Sequence, residues 1–191
     1  MPPTLTLDDL MAMDADALAG VMERDHAIDR GALAESRYRG VDLSLPGFAR
    51  KLLWHTFEKV FTRDGAAIRG WNVMLEQTGV YGERVPRRSG GEERTFGHYL
   101  FCDHIGDRTF PGAWDGPHFL DYGRAGNARL DPAALGMTPL VAVNEGSAEL
   151  LLGWEVFCVA GVMLPMRLYW ALERRGALPP EAIVSPPRGR A

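Results

Sequence analysis

The segment LLLGWEVFCVAGVMLPMRLYWAL, residues 150–172, admits two incompatible structures. It is apolar and long enough, at about 20 residues, to cross a bilayer as a helix. Glu155, Pro165 and Arg167 argue against that. Each charge near the middle of a lone span is penalised by about 2.5 to 3.5 kcal/mol, and Gly161 with Pro165 cuts the run into two strand-length pieces. The segment therefore reads as a buried β-hairpin. Turned about Gly161, it sets Glu155 opposite Arg167 across the ladder, and charges inside a buried sheet must be paired or cost several kcal/mol each.

Upstream of the hairpin, apolar and aromatic runs recur between turn signals. Strands are expected over residues 66–77, 94–105, 118–122 and 140–143, with Asn144 to Ser147 as the turn into residues 149–159. A shorter alternating stretch covers residues 38–43. Residues 78–94 are Gly-, Pro- and Arg-rich and read as an exposed connection. The loop 106–116 carries Phe110 and Trp114, large rings that pack back onto a core or shape a pocket.

Helical signals lie before the strands. Residues 6–22 mix helix formers with apolar positions, and Asp14 is placed to cap a helix beginning at Ala15. After Pro46, the residues Phe48, Leu52, Leu53, Phe57, Val60 and Phe61 recur at helical spacing and predict one amphipathic helix. About six antiparallel strands with helices confined to the first part make an α+β chain, mainly a β-meander or barrel. Residues 1–178 form one domain, and the Pro-rich stretch 179–191 reads as a flexible tail.

Composition narrows the function classes. The chain has 191 residues, 46% hydrophobic and 24% charged, enough apolar surface for one core. A formal net charge of -4 offers no general attraction to nucleic acid or anionic lipid, so neither is an expected partner. The first residues hold neither a basic leader nor a continuous apolar stretch, so a cytoplasmic location with reduced Cys102 and Cys158 is expected.

The order of helix, Gly70-Trp71 on an early strand, and a run of hairpins resembles the calycin-type barrels, which include lipocalins and nitrobindins. The resemblance covers residues 66–174 and rests on topology. A lipocalin carries Gly-x-Trp on its first strand, whereas here Gly and Trp are adjacent and deeper in the chain. No histidine is assigned as a heme ligand, and no cofactor is expected.

Two sets of residues are candidates for chemistry. Trp71, Asn72, His98, Tyr99, Glu155, Arg167 and Tyr169 suit a pocket that holds a small apolar or aromatic molecule, with Trp114, Tyr122, Trp154 and Trp170 as further rings and the Glu155–Arg167 pair as its polar anchor. They suit an ordinary core as well. His104, His118, Asp103 and Asp121 suit acid–base catalysis by a cofactor-free cyclase, isomerase or dehydratase on the same scaffold, or a polar surface near a loop. His98 and His104 are about 20 Å apart along one strand, at about 3.3 Å per residue, so they do not share a metal, and no metal site is expected. A ligand-binding barrel is the leading expectation, the enzyme its alternative, and a homodimer is compatible with either.

Overall fold

The computed structural model describes residues 4–44, 55–103, 109–128 and 130–187. Three short helices come first: α1 (Leu7–Ala12), α2 (Ala15–Met22) and α3 (Arg30–Leu33). Each starts on a side chain that accepts the free backbone donors of a first turn. Thr6 and Asp9 form a capping box on α1, Asp14 caps α2 as its position in the sequence implies, and Asp29 caps α3.

The strands are β1 (Ser36–Asp42), β2 (Thr56–Asp64), β3 (Ala67–Met74), the two-residue β4 (Arg88–Ser89) and β5 (Glu92–Glu93), β6 (Thr95–Cys102), β7 (Phe119–Asp121), β8 (Met137–Ala142), β9 (Leu150–Val159) and β10 (Val162–Ala177). Eight of them close into an antiparallel barrel in the order β1-β2-β3-β6-β7-β8-β9-β10, with β10 returning to β1. Closure pairs the strand edges that an open sheet would leave to other chains. The small β4–β5 hairpin stands outside the barrel.

Side chains alternate between two environments with period two. Tyr38, Phe61, Tyr99, Leu140, Leu151 and Leu172 point inward and fill the barrel. The buried phenols are satisfied, Tyr38 donating to the Ala148 carbonyl (2.8 Å) and Tyr99 to that of Val60 (2.9 Å). The outer face is apolar too, because other segments cover it. α1, α2 and the Phe110–Trp114 loop pack on β8, β9 and β10. Leu178, Ala182 and Val184 lie over Val60, Trp71, Val73 and Leu75 of the opposite wall, and the Val184 carbonyl accepts from Arg69 at 2.9 Å.

The amphipathic helix expected after Pro46 is corrected where it can be seen: Thr56–Asp64 is β2, while residues 45–54 lie outside the described residues. Phe57, Val60 and Phe61 share one face of a helix, but in the strand Phe57 and Phe61 point in and Val60 points out. Both faces of this strand are covered, so its apolar residues do not alternate and mimic a helical period.

The hairpin read from residues 150–172 is present. Its turn is the two-residue loop Ala160-Gly161, both with positive φ (49° and 83°), the geometry that matches the twist of the strands it joins. Val159 therefore pairs with Val162, one residue off a turn centred on Gly161. A further irregularity between Pro165 and Tyr169 brings Tyr169 opposite Trp154. Glu155 points into the barrel, and Arg167 points into solvent, 3.8 Å from Asp16. No helix among the described residues is long and apolar enough to cross a membrane. Neither Cys102 nor Cys158 forms a disulfide among the described residues.

Candidate functional site

One end of the barrel is closed by Ile28, Leu33, Ala34 and Ala148. The other opens into a pocket of about 330 Å³. Phe57, Phe96, Phe157 and Trp170 contribute aromatic walls, Pro132 and Ala133 a rim, and Lys59, Asn72, Tyr122 and Glu155 the polar interior.

Lys59 dominates this interior. It sits on β2 between the inward Phe57 and Phe61, is 2% exposed, and directs its ammonium group into a cage of rings. Its Nζ lies 4.6 Å from the ring centre of Tyr99, 4.7 Å from Trp170, 5.1 Å from Tyr122 and 5.6 Å from Phe57. Ring faces carry partial negative charge and attract a cation at these distances. Lys59 also donates to Asn72 Oδ1 (2.8 Å) and contacts the Tyr122 hydroxyl. Asn72 is held for this role, since its amide nitrogen donates to the carbonyls of Gly97 (2.9 Å) and Phe96 (3.3 Å), which leaves its oxygen facing the lysine.

Three of the four caging rings lie over a glycine in the directly paired position of the next strand. Phe57 pairs with Gly40, Tyr99 with Gly70, and Trp170 with Gly153. A Cβ at Gly40, Gly70 or Gly153 would stand 2.2 Å, 2.4 Å or 2.3 Å from a ring atom of its partner. Only a residue without a side chain lets a ring lie flat at that depth.

Burial pushes the Lys59 amine down to about 7, against a smaller opposing pull from Glu155. Glu155 is pushed the other way. Desolvation raises its carboxyl above the ordinary range, with Lys59, a Trp170 hydrogen bond (Nε1 to Oε2, 3.3 Å) and the Thr138 hydroxyl acting against the rise. The two head groups influence each other through space while each keeps its own hydrogen-bond partners. The pocket thus holds an amine that titrates near neutral pH and a carboxyl whose pKa burial raises above the ordinary range.

Other expected site residues lie elsewhere. Asn72, Tyr99 and Glu155 reach the Lys59 site. Trp71 and His98 are on the outer face, where their rings lie 6.2 Å apart at a 34° tilt and Arg69 lies over the indole (5.3 Å). Tyr169 is under α2 and α1 in the outer core, and Arg167 is exposed. His118 Nδ1 meets Asp103 Oδ1 at 3.1 Å, and Arg30 bridges to the same carboxylate. Asp121 accepts from the Arg124 backbone at 3.1 Å. His104 lies outside the described residues. Among the described residues no cluster of three or more His, Cys, Asp or Glu is arranged to hold a metal.

Lys59 is the member of this site that the sequence reading did not reach, whereas Asn72, Tyr99, Tyr122, Trp170 and Glu155 were among its pocket candidates. The signal for Lys59 was the alternation Phe57-x-Lys59-x-Phe61, which places a lysine on the inward face once the segment is taken as a strand. No protein-family model, no curated protein and no solved structure matches this chain.

Proposed function

We propose that this chain is a small-molecule-binding barrel that takes an apolar or aromatic molecule into the mouth bounded by Phe57, Phe157 and Trp170. The ligand directs an acidic or carbonyl oxygen to Lys59. The observation that carries this reading is the open 330 Å³ space above a buried amine, in a barrel that is otherwise filled by its own side chains. Pockets of this kind combine apolar walls with a few placed polar groups. The closed eight-stranded meander supports a calycin-like relationship, and two cysteines that form no disulfide suit a reducing, cytoplasmic setting. Net charge argues against nucleic acid as a partner.

The test is a titration of tryptophan fluorescence with benzoate and with benzylamine. Saturable one-site binding of benzoate that Lys59→Met abolishes, with benzylamine inert, is the expected result. If benzoate changes neither the fluorescence nor the melting temperature of the intact chain, the reading fails.

A cofactor-free enzyme is a second reading, and it draws on the same floor. An amine that titrates near 7, sharing a pocket with a carboxyl whose pKa is raised by burial, offers an acid–base pair for isomerisation or dehydration chemistry.

A further inference from the structure

We propose that Lys59 is an imine-forming amine that condenses reversibly with the carbonyl carbon of a small aromatic or apolar aldehyde admitted through the barrel mouth. This deepens the small-molecule reading and rests on it.

Three independent observations converge on the amine. The first is placement: Nζ stands at the inner end of an open pocket whose walls are rings, so a flat aldehyde that enters is led toward the nitrogen. The second is the hydrogen-bond count. A neutral amine has two N–H donors and one lone pair. Asn72 Oδ1 and the Tyr122 oxygen give both donors a partner, which frees the lone pair for attack.

The third is residue choice. The chain has nineteen arginines and two lysines, Lys51 and Lys59, and Lys59 is a cation buried inside the barrel. A guanidinium stacks on rings and binds oxyanions better than an ammonium does, but it does not lose its proton in a protein. A site needing only a fixed positive charge gains nothing from a lysine here, whereas a site needing a nucleophilic nitrogen requires one.

The chemistry balances with the groups present. The Nζ lone pair forms the C–N bond as the carbonyl π pair moves to oxygen, and a nitrogen proton is transferred to that oxygen, giving a carbinolamine. Glu155 in its protonated form then donates its proton to the hydroxyl, which leaves as water while the nitrogen lone pair closes C=N. The products are an iminium, one water and the Glu155 carboxylate. The iminium keeps the positive charge inside the cage of Tyr99, Tyr122, Trp170 and Phe57, and the new carboxylate becomes its counter-ion. Hydrolysis reverses every step. No oxidant or reductant is consumed.

Among the described residues, the charged and titratable groups that act on this site include Glu155 on β9, Tyr99 on β6, Tyr122 after β7, Asp42 of β1, which acts on Glu155, and Tyr38 and Glu58, which act on Tyr99. The two phenols are pushed up by burial and stay protonated. Lys59 and Glu155 therefore set the pH response.

The experiment treats the full chain with benzaldehyde and sodium cyanoborohydride, which reduces an imine to a stable benzyl amine. Peptide mass mapping then compares Lys59, Lys51 and the amino terminus. The expected result is one benzyl group on Lys59, formed about a hundredfold faster at pH 7 than on Lys51, because an ordinary lysine is then almost wholly protonated. Its rate should climb as the amine loses its proton around pH 7 and fall at the pH where Glu155 loses the proton that the dehydration step uses. Lys59→Met should lose the adduct with its melting transition intact, and Glu155→Gln should slow it while Lys59 stays in place.

Benzoate titration runs in parallel. If benzoate binds but benzaldehyde leaves Lys59 unlabelled, imine formation is overturned and the binding reading stands. If neither compound binds, both fall. Equal labelling of Lys51, Lys59 and the amino terminus also overturns the proposal, since it shows an amine with no special reactivity.

Discussion

Trp170 on β10 lies flat across Gly153, its paired neighbour on β9, so closely that a Cβ there would stand 2.3 Å from the ring. The same indole forms one wall of the Lys59 cage and donates to Glu155. A backbone position with no side chain thus sets the depth of the ring that contacts both titratable groups of the pocket.

Gly153→Ala should therefore damage the fold and the site together. Overpacking of this kind costs about 1 to 3 kcal/mol, and Trp170 must leave the lysine to relieve it. Gly20→Ala is the control, since a Cβ there meets nothing within 4 Å on α2 and the exchange favours a helix by about 1 kcal/mol. Chemical denaturation should separate the two variants in opposite directions, with benzoate binding lost in the first and kept in the second.

Lys59→Met tests the charge inside the barrel. The folded amine titrates near 7, below its ordinary value of 10.5, so burial of the charged form lowers stability at every pH below about 7. That penalty is relieved as pH rises from 7 toward 10.5, where the folded amine is neutral and the unfolded one still binds a proton. Wild-type stability should rise relative to Lys59→Met across this window, with a slope approaching about 1.4 kcal/mol per pH unit, the value for one proton. Urea titrations at pH 6, 7.5 and 9 check this. A difference that does not change with pH would mean that Lys59 keeps an ordinary amine.

What was legible in the sequence follows from where physical signals are local. The hairpin of residues 150–172 declared itself because Gly161 and Pro165 interrupt an apolar run, and the cap on α2 because Asp14 acts within one turn. The Glu155–Arg167 pairing was lost to a single residue: a loop of Ala160-Gly161 shifts the register from one centred on Gly161, and one step exchanges the faces. β2 resembled a helix because the C-terminal segment buries its outer face, a long-range fact with no local trace. Lys59 was hidden by that same error. Trp71 and His98, chosen for their chemistry, face the outer side of the wall, away from Lys59.

Arg84 holds a buried carboxylate on the outer face and should be intolerant of change. Its Nε and one terminal nitrogen reach Glu58 at 2.6 Å and 2.8 Å, and its terminal nitrogens also meet Glu93. Glu58 is 3% exposed, so Arg84→Met leaves a buried charge without a partner, at about 3 to 5 kcal/mol. Arg84→Lys should recover only part of this loss, because an ammonium cannot reproduce the two-pronged geometry. Glu58→Gln combined with Arg84→Met should be milder than Arg84→Met alone, and a double-mutant cycle in urea reads the difference.

The last prediction concerns residues 178–184. Leu178 is 5% exposed and packs with Ala182 and Val184 over Trp71 and Val73, while Arg69 ties the segment down through the Val184 carbonyl. If this strip is part of the folded core, Leu178→Ala should cost about 2 to 5 kcal/mol, as for other buried leucines. Removing the chain from residue 178 onward should cost more and should leave Trp71 open to solvent. Acrylamide quenching of tryptophan fluorescence reports that exposure, and binding of a hydrophobic dye should rise with it. Unchanged quenching and an unchanged denaturation midpoint after truncation would show that β2 and β3 hold their outer face without this cover. The barrel mouth is lined by the opposite faces of the same two strands, through Lys59 and Asn72, so truncation should also weaken benzoate binding. A loss of stability with binding retained in the remaining folded fraction would place the covering segment outside the workings of the pocket.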